Sequence, residues 1–249
     1  MRGVGLNFRT CGGEMNRTAR GYNAGDTRDL QFVLAWLRDR FPHAPIGMIG
    51  VSLGAYLTLK YMGEAGRTAV PQAAVAVSPP FDMDAGAIQL DEGNGRFYMP
   101  RLLKSLQEKA RLKADLLRPH IDLEAALTAK TLRAFDDAWA PLHGCKDAAD
   151  YYRNNSSAQF VPHIRHSTLI IRAVDDPFFS PNDIPYTAIA ENIAVTACLP
   201  AHGGHVGFVA GGLRRPQFWS EATAAQFIAN QLADESKSSQ SRKAQPPAR

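Results

Sequence analysis

The chain has few cysteines, no long apolar run and no dense block of one charge. Its 249 residues include three cysteines, Cys11, Cys145 and Cys198, an odd number at wide spacing that fits neither a disulfide framework nor a zinc site. No apolar stretch approaches membrane-spanning length, and no signal peptide precedes the first predicted strand. We therefore expect a protein of the reducing cytoplasm with no stable membrane insertion.

The net charge of +4 is concentrated at the C-terminus. Residues 235–249 carry four basic side chains and one acidic one, a net of +3, which leaves about +1 for the rest of the chain. We find no basic cluster of the kind that binds nucleic acid. The same segment is Ser, Gln, Lys and Pro without an apolar period, so we predict a disordered tail over 235–249.

Strand-like and helix-like stretches alternate along the chain. Apolar runs predict strands at 3–8, 46–49, 73–78, 168–173 and 194–199, and periodic patterns predict helices at 26–40, 55–63 and 217–233. Apolar strands joined by helices indicate a mostly parallel sheet with helices on both faces, the α/β class.

The first predicted helix, 26–40, begins at a cap from Thr27 or Asp26, and we assign its apolar face to Leu30, Phe32, Val33, Trp36 and Leu37. The middle of the chain, 82–162, has no strand signal and predicts helices at 97–117, 123–137 and 147–154. We therefore predict one domain over 1–234, interrupted by a helical insertion at 82–162.

The segment Gly50-Val51-Ser52-Leu53-Gly54 has the G-x-S-x-G pattern between a predicted strand and a predicted helix. In this setting the pattern is a nucleophile elbow, a sharp turn that holds a serine in a strained backbone conformation. The residues two before and two after the serine must then be small, which predicts a steric need for Gly50 and Gly54. The helix N-terminus would direct backbone N–H groups toward the reacting oxygen.

A serine nucleophile needs a base, usually histidine, and an orienting carboxylate, in the chain order Ser, acid, His in this kind of fold. Asp175 and Asp176 follow one predicted strand, and His202 and His205 follow the next. We favour Asp176, which directly precedes a proline, and keep Asp175 as an alternative acid or a turn cap. We favour His205, because Gly203-Gly204 allows the loop to turn back, and expect a structural contact from His202.

Two other features give weaker signals. Asp136-Asp137 could be a metal carboxylate pair, but no His or Glu stands at ligand spacing, so a cap or surface charge is the better interpretation. Cys11 could be a redox-sensitive thiol, although the sequence shows no basic or histidine partner for it. We expect neither a metal nor a cofactor.

Several spaced motifs resemble the YheT-like branch of the α/β-hydrolases. They are Asn7-Phe8-Arg9, Cys11 to Glu14, Asn16-Arg17, Gly25-Asp26-Thr27, Ser52-Leu53-Gly54, Lys60 to Glu64, Thr131 to Asp137, Ala140 to Gly144, Tyr151-Tyr152, Ala173 to Phe178 and His202 to Phe208. The resemblance implies hydrolysis of carboxylic esters, with short-chain acyl esters or acylglycerols as substrates and a triad of Ser52, Asp176 and His205. It also implies that the insertion forms a lid over an acyl pocket.

In the family, a further segment precedes the point at which this chain begins. That segment holds the early strands and a His-Gly-x-x-Gly-type loop, which supplies the second oxyanion N–H. We therefore expect an incomplete chain that lacks the N-terminal strands, with the Leu53 N–H as the identifiable oxyanion donor. The strand at 3–8 would then lack its neighbour on the side of the elbow strand.

Three functions are compatible with these features. The first is a serine hydrolase that forms an acyl-enzyme on Ser52 and releases it with water. The second is a truncated, non-catalytic protein that binds acyl ligands in the hydrolase pocket. The third is transfer of the acyl group to an alcohol. The sequence leaves the acyl length, head group, substrate-binding residues and oligomeric state open.

Overall fold

A computed structural model describes residues 2–21, 23, 25–212 and 214–243, with side chains described as far as residue 233. The described residues form two compact units. The first is drawn from Met1–Gly25, Asp82–Ser156 and Pro177–Asp183, and the second from Asp26–Phe81, Ser157–Asp176 and Ile184–Arg249. The lid role predicted for 82–162 stays a prediction.

In the described part of the chain there are six strands and ten α-helices. The strands are β1 (Gly47–Val51), β2 (Ala73–Val77), β3 (Ser167–Ile171), β4 (Val195–Cys198), β5 (Val209–Gly212) and β6 (Arg215–Phe218). The helices are α1 (Arg28–Arg40), α2 (Leu53–Ala65), α3 (Met83–Asp91), α4 (Met99–Leu112), α5 (Ala114–Leu117), α6 (Leu123–Thr128), α7 (Leu132–Trp139), α8 (Ala148–Asn155), α9 (Tyr186–Glu191) and α10 (Trp219–Lys243).

The second unit is built on a parallel sheet in the order β1-β2-β3-β4, which confirms the predicted α/β class. All five residues of β2 are buried, as expected for a central strand covered on both faces. Val75 and Val77 pack with Ala224 and Ile228 of α10. Gly50 of β1 lies against Thr58 of α2 on the opposite face.

Close packing explains the small residues of β1. A Cβ added at Gly47 would come within 3.2 Å of one Ile228 methyl and closer to another, so α10 approaches the strand backbone directly. Parallel strands end at the same edge of the sheet, and β1, β2 and β3 are paired in register through Val51, Val77 and Ile171. The residues that follow these three strands are therefore brought together.

Helix α1 differs from the prediction in its apolar face. Leu30 and Leu34 are buried, whereas Phe32 is 73% exposed and Trp36 is 54% exposed. At about 100° per residue, Phe32 and Trp36 each point about 160° away from the buried Leu34, so they lie on the opposite side of the helix. Thr27 is the N-cap residue, but the side chain of Asp26 accepts the hydrogen bond from the Arg28 N–H, at 3.1 Å.

The strand predicted at 3–8 is wrong for the described residues. Residues 2–7 have no regular secondary structure and belong to the first unit, and Val4 and Leu6 are 60% and 41% exposed. A strand exists only through hydrogen bonds to a neighbour, and the alternating Gly3 and Gly5 weaken any preference for extended backbone.

The first unit is helical and contains α3 to α8, and no strand lies between residues 82 and 162. The helix predicted at 123–137 is divided into α6 and α7. Thr131 has extended backbone and its hydroxyl accepts the N–H of Ala134, so it caps α7 and interrupts the pattern. Asp122 caps α6 in the same way through the N–H of Ala125.

Two features near the C-terminus were not predicted. The antiparallel pair β5-β6 is exposed throughout and follows no apolar pattern in the sequence. Helix α10 continues to Lys243, so the backbone of 235–243 differs from the disordered tail predicted over 235–249, and 244–249 lie outside the described residues. Most of these residues tolerate helix, which a composition argument overlooks.

Within the described residues, no helix combines the length and the apolar character needed to cross a membrane.

Candidate active site

Ser52 lies in the sharp turn between β1 and α2. Its backbone has φ 53° and ψ −117°, a conformation that costs a non-glycine residue about 1–3 kcal/mol. The Ser52 N–H donates to the carbonyl oxygen of Val77 at 2.8 Å, which ties the turn to the end of β2. The geometry is that of the predicted elbow, with the serine at the N-cap position of α2.

The two glycines of the motif differ in their steric surroundings. A Cβ at Gly50 would overlap the carbonyl group of Gly54 and the hydroxyl of Thr58, so only glycine fits there. A Cβ at Gly54 would meet nothing within 4 Å. The predicted steric need therefore holds for Gly50 and is wrong for Gly54.

The three residues favoured by the sequence form one hydrogen-bonded chain. Nε2 of His205 lies 2.8 Å from Oγ of Ser52, and Nδ1 of His205 lies 2.9 Å from Oδ2 of Asp176. The Asp176 side chain is fully buried, and the His205 side chain is 10% exposed. Such a chain can move a proton from a hydroxyl to an imidazole while a carboxylate fixes the ring.

Asp175 and His202 form a second pair at the surface. Oδ2 of Asp175 lies 3.2 Å from Nδ1 of His202, whose side chain is 91% exposed. Oδ1 of Asp175 accepts the N–H groups of Gly203 and Gly204, each at 2.9 Å. The Gly204 hydrogen bond is the largest influence on Asp175 and lowers the pKa of its carboxyl. Asp176 thus contacts the ring of His205, whereas Asp175 contacts the backbone N–H groups of the loop before it.

Arg172 is a buried charge that the sequence analysis missed. Its side chain is fully buried, its Nε lies 3.5 Å from Oδ2 of Asp176, and its Nη1 donates to the carbonyl oxygen of Pro79 at 2.7 Å. A cation beside a buried carboxylate offsets part of the free energy needed to remove that charge from water. The one feature of the sequence that could have revealed this residue is a lone arginine near the end of an otherwise apolar predicted strand.

Ser78 is the second missed residue. It follows β2, is completely buried and has a positive φ of 52°. Its hydroxyl donates a hydrogen bond to the backbone carbonyl of His205, and its N–H donates to the carbonyl of Ile171 at 2.7 Å. No local sequence pattern shows that a serine before two prolines reaches a residue 127 positions away.

Leu53, the predicted oxyanion donor, is the first residue of α2. The N–H groups of the first turn of a helix have no carbonyl partner within the helix, and the helix dipole is positive at this end. The Leu53 N–H is therefore suited to bind an oxygen that gains negative charge next to Ser52.

Asp136 and Asp137 have separate structural contacts. Asp136 is half-buried and accepts the hydroxyl of Tyr152 at 2.7 Å, and burial raises the pKa of its carboxyl to about 7. Asp137 is exposed and accepts the N–H of Ala148 at 2.8 Å, as the predicted cap would. Among the residues with described side chains, no group of three or more His, Cys, Asp or Glu could hold a metal ion.

Cys11 has a basic neighbour that the sequence did not reveal. Nζ of Lys109 lies 3.3 Å from Sγ of this exposed cysteine.

Comparison with known proteins agrees with this architecture. Residues 1–211 match the model of the alpha/beta hydrolase fold family. YheT of Escherichia coli (strain K12), whose name gives it a provisional esterase activity, is 38% identical over 235 residues, which cover 92% of this chain and 68% of YheT. The chain belongs to the α/β-hydrolase fold family, in its YheT-like branch.

Two eukaryotic relatives have more specific names. Monoacylglycerol lipase of Saccharomyces cerevisiae is 32% identical over 82% of this chain and 47% of the lipase. Phospholipase ABHD3 of Mus musculus is 29% identical over 91% of this chain and 56% of the phospholipase. The chain thus spans about two thirds of YheT and about half of these two relatives.

A solved structure of an alpha/beta fold family hydrolase from Bacillus anthracis str. Sterne has the same fold. It superposes with a TM-score of 0.52 at 15% identity, covering 90% of this chain and 80% of that one.

Proposed function

We propose that this chain is a serine hydrolase that cleaves carboxylic esters through an acyl-enzyme on Ser52. The observation that carries the proposal is the continuous hydrogen-bonded chain from Ser52 through His205 to the buried Asp176. A serine hydroxyl is a weak nucleophile near neutral pH, and an oriented imidazole within 3 Å of it is the usual means of activation.

The proposed reaction has two halves. Ser52 Oγ attacks the acyl carbonyl as its proton passes to Nε2 of His205, and the ester C–O bond then breaks as the imidazolium returns that proton to the departing alcohol. Water then attacks the acyl-enzyme as its proton passes to His205, and the acyl–Oγ bond breaks as the imidazolium returns that proton to Ser52, which releases the acid and the free serine. Asp176 holds the ring and stabilises the positive charge that the imidazole carries in both halves.

The Leu53 N–H would stabilise the oxyanion of each tetrahedral intermediate. It lies at the positive end of α2, directly after the nucleophile. One such hydrogen bond is worth about 10²- to 10³-fold in rate.

For the substrate class, we propose short-chain acyl esters or acylglycerols. The yeast and mouse relatives are named for acylglycerol and phospholipid substrates, and both are similar to this chain over most of its length. Because the chain covers about half of each, the substrate of the whole protein is part of the proposal.

The test combines covalent labelling with turnover. The purified 249-residue protein is incubated with a fluorophosphonate probe, and intact mass and peptide mapping locate the adduct. We expect labelling at Ser52 and hydrolysis of p-nitrophenyl butyrate, with both lost in Ser52→Ala. Ser105→Ala, at an exposed serine of α4, is the matched control and should keep both activities.

The other two functions predict different results. A non-catalytic binding protein would bind a fluorescent fatty acid without turning over the ester, and Ser52→Ala would leave that binding intact. An acyltransferase would form more new ester than free acid when an alcohol is added, which product analysis by mass spectrometry would detect.

A further inference from the structure

The segment that carries His205 is held at two points by residues outside the proposed triad. Oδ1 of Asp175 accepts the N–H groups of Gly203 and Gly204, directly before the histidine. The hydroxyl of Ser78 donates to the carbonyl oxygen of His205 itself. These contacts fix the backbone, whereas Asp176 contacts the ring.

The loop has the shape of a tight turn that these contacts can hold. Gly204 has a φ of 62°, and the N–H of Phe208 donates to the carbonyl of Gly203 at 3.0 Å. A Cβ at Gly203 would lie 3.0 Å from Cβ of Ala173 and closer still to the Phe208 ring. The turn therefore starts close to the end of β3, within reach of the Asp175 side chain.

The two holding residues are themselves fixed to the sheet. Ser78 follows β2 directly, is fully buried, and donates its N–H to Ile171, the last residue of β3. The N–H of Val174, adjacent to Asp175, donates to the carbonyl of Pro200 at 2.9 Å. Both residues thus connect the ends of the strands to the histidine loop through hydrogen bonds.

We propose that Asp175 and Ser78 form a backbone clamp that sets the position of His205 relative to Ser52. They are positioning residues, because neither contacts the reacting atoms. The proposal rests on the proposed function, in which His205 moves the proton of Ser52. Its chemical basis is that a donor and two acceptor contacts on three consecutive residues leave the histidine backbone little freedom, and a proton relay tolerates little displacement.

The two Gly N–H groups share one oxygen of Asp175, which makes a sharp comparison possible. Asparagine has a carbonyl oxygen at that position and can accept both hydrogen bonds, whereas alanine can accept neither. We expect Asp175→Ala to lower kcat for p-nitrophenyl butyrate by about 10- to 100-fold, with KM changed by less than about twofold. Asp175→Asn should recover most of the lost kcat.

His202→Ala is the matched control for the loop. The exposed His202 ring also contacts Asp175, so this change tests whether that surface contact, rather than the backbone clamp, accounts for the effect. We expect kcat within about twofold of the wild type. A kcat as low in Asp175→Asn or His202→Ala as in Asp175→Ala would overturn the clamp.

Ser78 is tested by coupling to Asp175. Ser78→Ala removes the donor to the His205 carbonyl and should lower kcat by about tenfold. Because both residues hold one segment, the fold decrease in kcat in the double variant should be smaller than the product of the fold decreases in the two single variants. A double loss equal to that product would mean that the two residues act independently, against the proposal.

A spectroscopic readout separates failure of the clamp from failure of the proposed function. In protein labelled with ¹⁵N-histidine, the proton between Nδ1 of His205 and Asp176 gives a downfield NMR signal, assigned by its absence in His205→Gln. We expect this signal in the wild type and Asp175→Asn, and its broadening or loss in Asp175→Ala. An unchanged signal in Asp175→Ala overturns the clamp, even if the wild type hydrolyses no ester.

Discussion

At the scale of single residues, burial decides what each acidic side chain does. Asp175 and Asp176 are neighbours in the chain, yet one is exposed and accepts backbone N–H groups, and the other is buried between His205 and Arg172. The sequence analysis favoured Asp176 as the triad acid and kept Asp175 as the alternative. Which of them turns inward depends on the path of the chain after β3, and no property of the dipeptide itself fixes that path.

Asp136 leads to a prediction about pH. Burial raises the pKa of its carboxyl from 3.8 to about 7, so the folded state holds this proton more tightly than the unfolded chain does. The stabilising contribution is fully present below about pH 4 and is lost as the pH rises through 7. It amounts to at most about 4 kcal/mol, and less for a residue that still meets solvent.

Asp136→Asn should therefore remove part of the pH dependence of stability. The amide oxygen can still accept the Tyr152 hydroxyl, so we expect the variant to be more stable than the wild type at pH 8 and to gain less on acidification to pH 5. Urea unfolding between pH 5 and 8 measures both quantities. Asp115→Asn, at an exposed residue of α5, is the control, and equal slopes in all three proteins would refute the prediction.

At the scale of helices and strands, local signals placed most elements and failed where tertiary contacts decide. β1, β2, β3 and β4 each lie within two residues of a predicted apolar run. The division of 123–137 into two helices depends on Thr131, a capping residue in a sequence that otherwise favours helix. The hairpin β5-β6 has no alternation of apolar and polar residues, so its strands could not be predicted from hydrophobic periodicity.

The close approach of β1 to α2 gives a prediction for the elbow. Gly50→Ala forces a Cβ against the Gly54 carbonyl and the Thr58 hydroxyl and should destabilise the protein by about 1–3 kcal/mol. Gly54→Ala places its Cβ in open space in the first turn of α2 and should leave stability unchanged or slightly higher. Urea unfolding of the two variants compares them directly. An equal loss of stability in the two variants would contradict the prediction, because it would mean that both positions are sterically restricted to glycine.

At the scale of the whole molecule, Arg172 links residues that are far apart in sequence. Its guanidinium contacts the carbonyl of Pro79 after β2 and the carboxylate of Asp176 after β3, and its carbon Cζ lies 5.9 Å from the centre of the Phe81 ring. A buried ion pair gives little net stability compared with apolar residues, but removal of one partner leaves an uncompensated buried charge.

Arg172→Met should destabilise the fold by about 3–5 kcal/mol for this reason. The double variant Arg172→Met/Asp176→Asn removes both charges and should be more stable than Arg172→Met alone. Urea unfolding gives both values, and the exposed Arg38→Met on α1 should change stability by less than about 0.5 kcal/mol. A double variant less stable than the single one would contradict the ion-pair argument.

The sequence by itself determined the parallel α/β sheet, the elbow at Ser52, and the pairs of acids and histidines from which a relay could be built. These follow from local patterns, because apolar period, glycine spacing and chain order act over a few residues. Only the tertiary structure decided that Asp176 contacts His205 and that Gly50 but not Gly54 must be glycine. It also decided that Ser78 and Arg172 contact His205 and Asp176, respectively. These outcomes depend on which strand ends meet at the edge of the sheet and on which charges lose contact with water, and both are set by packing across distant parts of the chain.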